Sequence, residues 1–415
     1  MEPASPGGRK PLQGNIQKSM TISGGSEAVM DFIHNFDEPV VRRGTDAKKY
    51  LGFSDDVLPM WIADTDFRSP QPVIDACVAR MKEGVYGYPG ISKAFKKAVS
   101  FWLSTRFHFD VAASAVEFVP GVIPGIICAI RALSHPGDYV AMLTPTYPPF
   151  KDLIDHNGRL ELRSPLKIEN GRYEIDFEDL ESKLSLERCR LFLLCNPHNP
   201  SGRVFTMEEL RKIEELCRKH HVIVLADEIH QDLIYKGSKH IPFASVSDWS
   251  AANSIVFINA SKTFNTAGFR TAAFYTLNPD LKNRTHEEIL NNKGIGENLC
   301  GTVATIAAYT QCAYYADQMM GYVEENLKMV TDWLDTTDQI SMIQPEGTYL
   351  LWLNCKNMGL SQKELTKFFA EKAKVYLNDG ASFGPEGAGY MRMNIATTRK
   401  NVQEALRRIS AALCK

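Results

Sequence analysis

The sequence has no surplus of either charge. Lys and Arg number 47 against 49 Asp and Glu, a formal net charge of −2. There is no basic field to hold a phosphate backbone, which excludes nucleic acid as a default partner. No apolar run approaches the ~18–20 residues that span a bilayer, so no membrane association is expected. The N-terminus also lacks the charged-then-apolar layout of a secretory signal. Neither a strand-coupled G-x-G-x-x-G nor G-x-x-x-x-G-K-[ST] occurs, so dinucleotide and nucleoside-triphosphate sites lack their fingerprints. Cysteine is sparse and odd in number, nine residues set in apolar stretches such as Leu193-Leu-Cys195. That usage reads as reduced core thiols in a cytoplasmic protein. Two C-x-x-H pairs, Cys195/His198 and Cys217/His220, invite a zinc reading. The first sits at a strand end beside Pro197 and Pro200, and the second falls on a helical pattern where i, i+3 neighbours arise by chance. No metal ligands are assigned.

What is present is an ordinary globular composition, 44% hydrophobic and 23% charged over 415 residues, enough for two or three domains. Residues 1–28 are rich in Pro, Gly and Ser and read as a flexible arm. Beyond them, strand-like and helix-like segments alternate. Tyr139–Leu143, Arg190–Cys195, His221–Ala226 and Ser254–Ile258 are strands. A short helix follows Asp176, and another begins at Thr206, where Thr206-x-x-Glu209 is a capping box ahead of Leu210, Ile213 and Leu216. Continuously apolar strands between helices predict an α/β fold with a mostly parallel sheet covered on both faces. Toward the C-terminus, Thr348–Leu353 and Tyr390–Ile395 alternate with helices near 361–374 and 399–413, a smaller α+β block. The expected division is 1–28 arm, 29–65 first part of the small domain, 66–317 large domain and 318–415 remainder of the small domain.

Ligands collect at the carboxyl ends of such strands. After Cys195 comes Asn196-Pro-His-Asn199-Pro-Ser-Gly202. After Ala226 comes Asp227-Glu-Ile-His230, and after Asn259 comes Ala260-Ser-Lys262-Thr-Phe-Asn265. Taken singly these are a turn, a helix cap and a solvated lysine. Together they offer one pocket an amide, a carboxylate and an amine. Burial lowers a lysine pKa and lets the amine bond to an aldehyde. A carboxylate facing a pyridine nitrogen keeps that nitrogen protonated, the arrangement of pyridoxal 5'-phosphate (PLP) sites. The phosphate needs N–H groups at a helix start and a cation. Gly121-Val-Ile-Pro-Gly125, ahead of an apolar helix read as Ile126–Leu133, supplies the first, and Arg270 the second.

These motifs have company. Arg42-Arg-Gly-Thr45, Leu58-Pro-Met-Trp-Ile-Ala-Asp-Thr-Asp-Phe67, Tyr86-Gly-Tyr-Pro89, Pro120-Gly-Val-Ile-Pro124 and Pro145-Thr-Tyr-Pro-Pro-Phe150 precede them. Glu346-Gly-Thr-Tyr349 and Met391-Arg-Met-Asn394 follow. With them the chain, from about Phe36 to Arg407, resembles the fold-type I PLP enzymes of the class I/II aminotransferase superfamily, and within it the cystathionine β-lyase-like C–S lyases. The resemblance implies a large PLP-binding domain plus a smaller α+β domain and a lyase that releases thiol, pyruvate and ammonia from cysteine thioethers. Aminotransfer is the alternative, and a binding protein that lost the chemistry a more distant one.

By the same resemblance, Lys262 is the Schiff-base lysine, Asp227 the partner of the pyridine nitrogen and Asn199 the donor to the ring oxygen. Tyr147 is the stacking aromatic, and Gly121 and Val122 are phosphate contacts. His230, Ser261 and Arg270 are further cofactor contacts. Arg392 clamps the substrate α-carboxylate, with Ala63 beside the substrate. Tyr88, with Tyr86 as a second candidate, reaches into a neighbouring subunit's site, which implies a homodimer and a catalytic part for Tyr88. His230 stands where aminotransferases commonly carry Tyr, Asn259 where Ser is frequent, and Ala396-Thr-Thr-Arg399 where Ala-Cys-Pro-Arg is usual. No second arginine is evident for a distal carboxylate, which favours a neutral or bulky thioether.

Overall fold

The computed structural model describes residues 34–90, 92–292 and 296–414. The arm expected at 1–28 and the first residues of the 29–65 segment lie outside them. Residues 34–415 cluster as one compact unit.

Seven strands form the main sheet: β1 (Val116–Val119), β2 (Tyr139–Thr144), β3 (Leu160–Pro165), β4 (Cys189–Cys195), β5 (Ile223–Asp227), β6 (Ser254–Ile258) and β7 (Ala272–Tyr275). Their order is β1-β7-β6-β5-β4-β2-β3. Strands β3, β2, β4, β5 and β6 run parallel, and β7 runs antiparallel to both β6 and β1. Strands β1, β3 and β7 were not among those read from the sequence. The link from β6 to β7 carries only the one-turn helix Ser261–Phe264 and a 3-10 turn at Ala267–Phe269. It contains no crossover helix, so the chain returns beside β6 in the opposite sense.

Period-two alternation sends successive apolar side chains to opposite faces. Leu191 and Leu193 of β4 join the cluster with Leu225, Phe257 and helix α1 (Val122–Leu133). Phe192 and Leu194 join the other face, with Leu210 and Ile213 of α2 (Met207–Lys219). The Thr206–Glu209 capping box forms as predicted. Helix α1 starts four residues earlier than read, at Val122. Pro124 in its first turn forfeits only an N–H that has no helical partner. Gly125 lets α1 lie close on β6, since a Cβ there would come within 2.9 Å of the Phe257 ring.

A second, antiparallel sheet contains β8 (Ser341–Met342), β9 (Leu350–Asn354), β10 (Asn378–Asp379) and β11 (Tyr390–Asn394), in the order β8-β9-β11-β10. The segment Met60–Asp66 runs along it. Asn394 N donates to Met60 O at 2.8 Å, and Asp66 N to Ala396 O at 2.9 Å. No helix among the described residues is long and apolar enough to cross a membrane.

Candidate active site

The strand-end loops meet in a cavity of about 480 Å³ at the carboxyl edge of β4, β5 and β6. Ala63, Gly121, Val122, Tyr147, Asn199, Asp227, His230, Ser261, Lys262 and Arg270 all line it. Of the site residues singled out from the sequence, Arg392, Tyr88 and Tyr86 do not line it.

Lys262 Nζ donates to the carbonyl of Ala63 at 2.6 Å. Burial, with help from Arg392, lowers its pKa to about 8, against the opposing pull of Asp64 and Asp227. Asp227 closes β5 in register with Cys195 and Phe257, and its Oδ1 accepts the Ile229 N–H at 3.1 Å. Burial raises this carboxyl to about 7, the Ile229 N–H and Lys262 holding it back. His230 is buried with Nδ1 unpartnered. Loss of hydration drives its pKa well below the usual value, with Lys262 and Arg392 adding to the effect, so the ring is neutral at pH 7. Burial likewise raises the Tyr147 phenol, which stays protonated.

Arg392 does not line the cavity; it lies buried behind it. Its Nη1 donates to Asn199 Oδ1 at 3.0 Å and its Nη2 to Trp61 O at 2.8 Å. Its Nε is buried without a partner, and the guanidinium carbon sits 4.9 Å from the Phe383 ring centroid. Burial lowers it to about 10, still a cation at pH 7. A guanidinium can only donate, so the Asn199 carbonyl oxygen must face Arg392 and its amide nitrogen remains the free donor. Tyr88 stands apart. It is fully exposed on the loop after helix Gln71–Lys82 and touches no part of the cavity in this chain.

Several supporting residues escaped the sequence reading of the site. Asn394 is fully buried, and its Nδ2 donates at 2.6 Å to both Ile62 O and Asp64 O, fixing the peptide on either side of Ala63. Tyr349 Oη lies 3.4 Å from both Ala63 O and Lys262 O. Asp64 pairs with Arg42, and Asp66 with Arg42 and the fully buried Lys49, both at 2.8 Å. A polar Asn or Tyr in an otherwise apolar strand run was the available signal. Asn259 Oδ1 accepts the Ser261 N–H at 2.9 Å, so this residue shapes the turn before the lysine.

The donor set fits PLP. Helix α1 opens at Gly121, φ 132°, with no side-chain cap on its first turn, so its leading amides are available to an anion. Pairing of Ala272 with Val119 brings the ends of β7 and β1 together, which places Arg270 by Gly121. The carboxylate, the amine, the Asn199 donor and the Tyr147 ring complete the set.

Comparisons with known proteins agree with this geometry. The family profile "Aminotransferase class I and II" matches residues 62–409. Cystathionine beta-lyase PatB of Bacillus subtilis is 41% identical over 387 residues, 91% of this chain and 100% of that protein. The crystal structure of cystalysin from Treponema denticola, which contains a pyridoxal 5'-phosphate cofactor, superposes with a TM-score of 0.89 at 31% identity, covering 92% of this chain and 99% of that one. The PLP-bound C–S lyase from Staphylococcus hominis superposes with a TM-score of 0.85 at 31% identity, with the same coverage. The chain therefore belongs to the aminotransferase class I and II family of fold-type I, PLP-dependent enzymes, in its C–S β-lyase branch.

Proposed function

We propose that the enzyme cleaves the Cβ–S bond of L-cysteine thioethers, cystathionine or other cysteine S-conjugates, to thiol, pyruvate and ammonia. The observation that carries this reading is the convergence of Lys262, Asp227 and Asn199 on one cavity, with Arg392 locked behind Asn199, in a chain 41% identical to a cystathionine β-lyase. When bound, PLP bonds to an amino group through its aldehyde and withdraws electrons from the adjacent carbon.

The chain's own groups then have the following work. Arg392 binds the substrate α-carboxylate through paired N–H donors, a geometry lysine cannot reproduce. Asp227 would pair with the ring nitrogen and favour its protonated form, a cation that would in turn favour the ionised carboxylate. Lys262 Nζ, with its pKa near 8, accepts the Cα proton near neutral pH and delivers a proton to the departing sulfur. Asn199 would donate to the ring oxygen, and Tyr147 and neutral His230 would hold the ring between them and the rest of the cavity wall. The amides of Gly121 and Val122, Ser261 and the Arg270 guanidinium would hold the phosphate.

A homodimer belongs to the same proposal, supported by the exposed apolar surface of Val78, Met81, Val85, Tyr86 and Tyr88, with Tyr88 completing the partner's site. So do the division of the chain into large and small domains and a cytoplasmic location, the latter supported by nine unpaired cysteines. The test is to incubate PLP-loaded protein with L-cystathionine and other cysteine S-conjugates, following pyruvate and thiol together. Equal release of both without added keto acid is expected. Activity that depends strictly on a keto acid overturns the lyase reading in favour of aminotransfer.

A further inference from the structure

Two cationic side chains line the cavity without an ion pair or hydrogen bond among the described residues, Arg270 and Lys48. Arg270 lies at the Gly121 end, the phosphate end. Lys48 has no task in the reaction described above.

The backbone that carries it is nevertheless held in place. The next residue, Lys49, is fully buried against Asp66 at 2.8 Å. Lys49 O accepts the Trp61 indole N–H at 3.0 Å, and Trp61 O accepts Arg392 Nη2 at 2.8 Å. A turn from Ala47 O to Tyr50 N at 2.8 Å closes the segment. This chain of contacts ties the backbone beside Lys48, through Trp61, to Arg392, the residue assigned to the substrate carboxylate, and Lys48 itself lines the cavity. The other cations of that wall have tasks, Arg42 in its pairs with Asp64 and Asp66 and Arg392 at the substrate α-carboxylate. An anion entering there finds one free ammonium.

We infer that Lys48 is a specificity-determining residue that binds an anionic group, a carboxylate, at the far end of the sulfur substituent. The preferred substrates are therefore thioethers with a distal carboxylate. This replaces the sequence-based expectation of a neutral or bulky thioether, and it rests on the C–S lyase reading. In the sequence Lys48-Lys49 are indistinguishable; the fold buries one and turns the other to the cavity.

The test compares S-(2-carboxyethyl)-L-cysteine with S-propyl-L-cysteine, near-isosteric and differing in the distal charge. Both are titrated into the full-length PLP-loaded enzyme. The shift of the cofactor absorption band reports binding, and thiol release reports cleavage. The wild type is expected to bind the carboxylate more tightly. Lys48→Ala should lower that preference roughly three- to fivefold, the scale of a partly solvated ion pair, and Lys48→Glu by roughly tenfold or more. Lys48→Arg should retain it, and rising ionic strength should erode it in the wild type. A preference ratio that is the same in all four proteins overturns the inference, as does failure of the carboxylate thioether to shift the band. Binding without thiol release from either compound overturns the lyase reading instead, while the binding ratio still decides the part played by Lys48.

Discussion

The ammonium of Lys262 donates a 2.6 Å hydrogen bond to the carbonyl of Ala63, 199 residues earlier in the chain. The contact joins the carboxyl edge of the main sheet to the segment that runs along the second one. The same carbonyl lies 3.4 Å from Tyr349 Oη, and Asn394 secures the peptides on both sides of it. The Lys262 amine is thus positioned by residues from three distant parts of the sequence.

Replacing Lys262 with Ala should lower thiol release by about 10³-fold or more, since it removes both the tether and the proton carrier. Borohydride reduction followed by peptide mass spectrometry should find the cofactor on residue 262 of the wild type and on no residue of the variant. An adduct elsewhere in the wild type would sink the assignment.

Arg392→Lys keeps the charge and loses the planar fork. A decrease of roughly 10–100-fold in kcat/KM is expected, the scale of losing a charge-assisted hydrogen bond. The variant should also free the Asn199 carbonyl, so the cofactor absorption band should shift even without substrate. Steady-state kinetics and spectra check this together.

Asp227 gives the cofactor-free protein a pH signature. Its folded-state pKa of about 7 lies above the ordinary 3.8, so the folded state holds a proton that the unfolded chain releases. The resulting stabilisation is complete below about pH 4 and lost as pH rises through 7, by at most about 4 kcal/mol. Asp227→Asn lacks this dependence. The Tm of the wild type minus that of the variant should therefore fall by a few degrees between pH 4 and pH 8, measured by calorimetry without PLP. A difference that grows with pH would contradict the burial argument.

Asn394→Ala removes the side-chain donor to the carbonyls of Ile62 and Asp64. Ile62 O keeps the Asp64 N–H at 2.9 Å and only Asp64 O loses its partner, so a loss of about 1–2 kcal/mol in stability follows. The same change should alter the pH titration of the cofactor absorption band, because Ala63 no longer aims Lys262. An unchanged band titration in a folded variant would confine Asn394 to a structural role.

Subunit mixing tests the part of Tyr88. Lys262→Ala and Tyr88→Ala chains, each inactive alone, are refolded together. Random pairing leaves one intact site in each mixed dimer, so about a quarter of wild-type activity should return. No recovery, with mixed dimers verified by mass spectrometry, would show that Tyr88 does not serve across the interface.

Much of the site was legible in the sequence because its chemistry sits at strand ends. A run such as Leu191–Cys195 announces a buried strand, and the residues after it must face the carboxyl edge. That logic found Asn199, Asp227 and Lys262 without any knowledge of their distances. The Thr206–Glu209 capping box was equally legible, being satisfied within one helical turn. The antiparallel strand Ala272–Tyr275 was not, because four residues carry too little periodicity and their direction depends on what the preceding link spans.

The amino-acid order by itself determined the layered α/β plan, the strand-end loops and the residue types that meet a PLP-like group, all products of short-range patterning. Only the tertiary structure decided that Arg392 backs Asn199, that Asn394 and Ala63 aim Lys262, and that Lys49 is interred while Lys48 faces the cavity. Those outcomes depend on strand register and on contacts between residues hundreds of positions apart, which local periodicity does not encode.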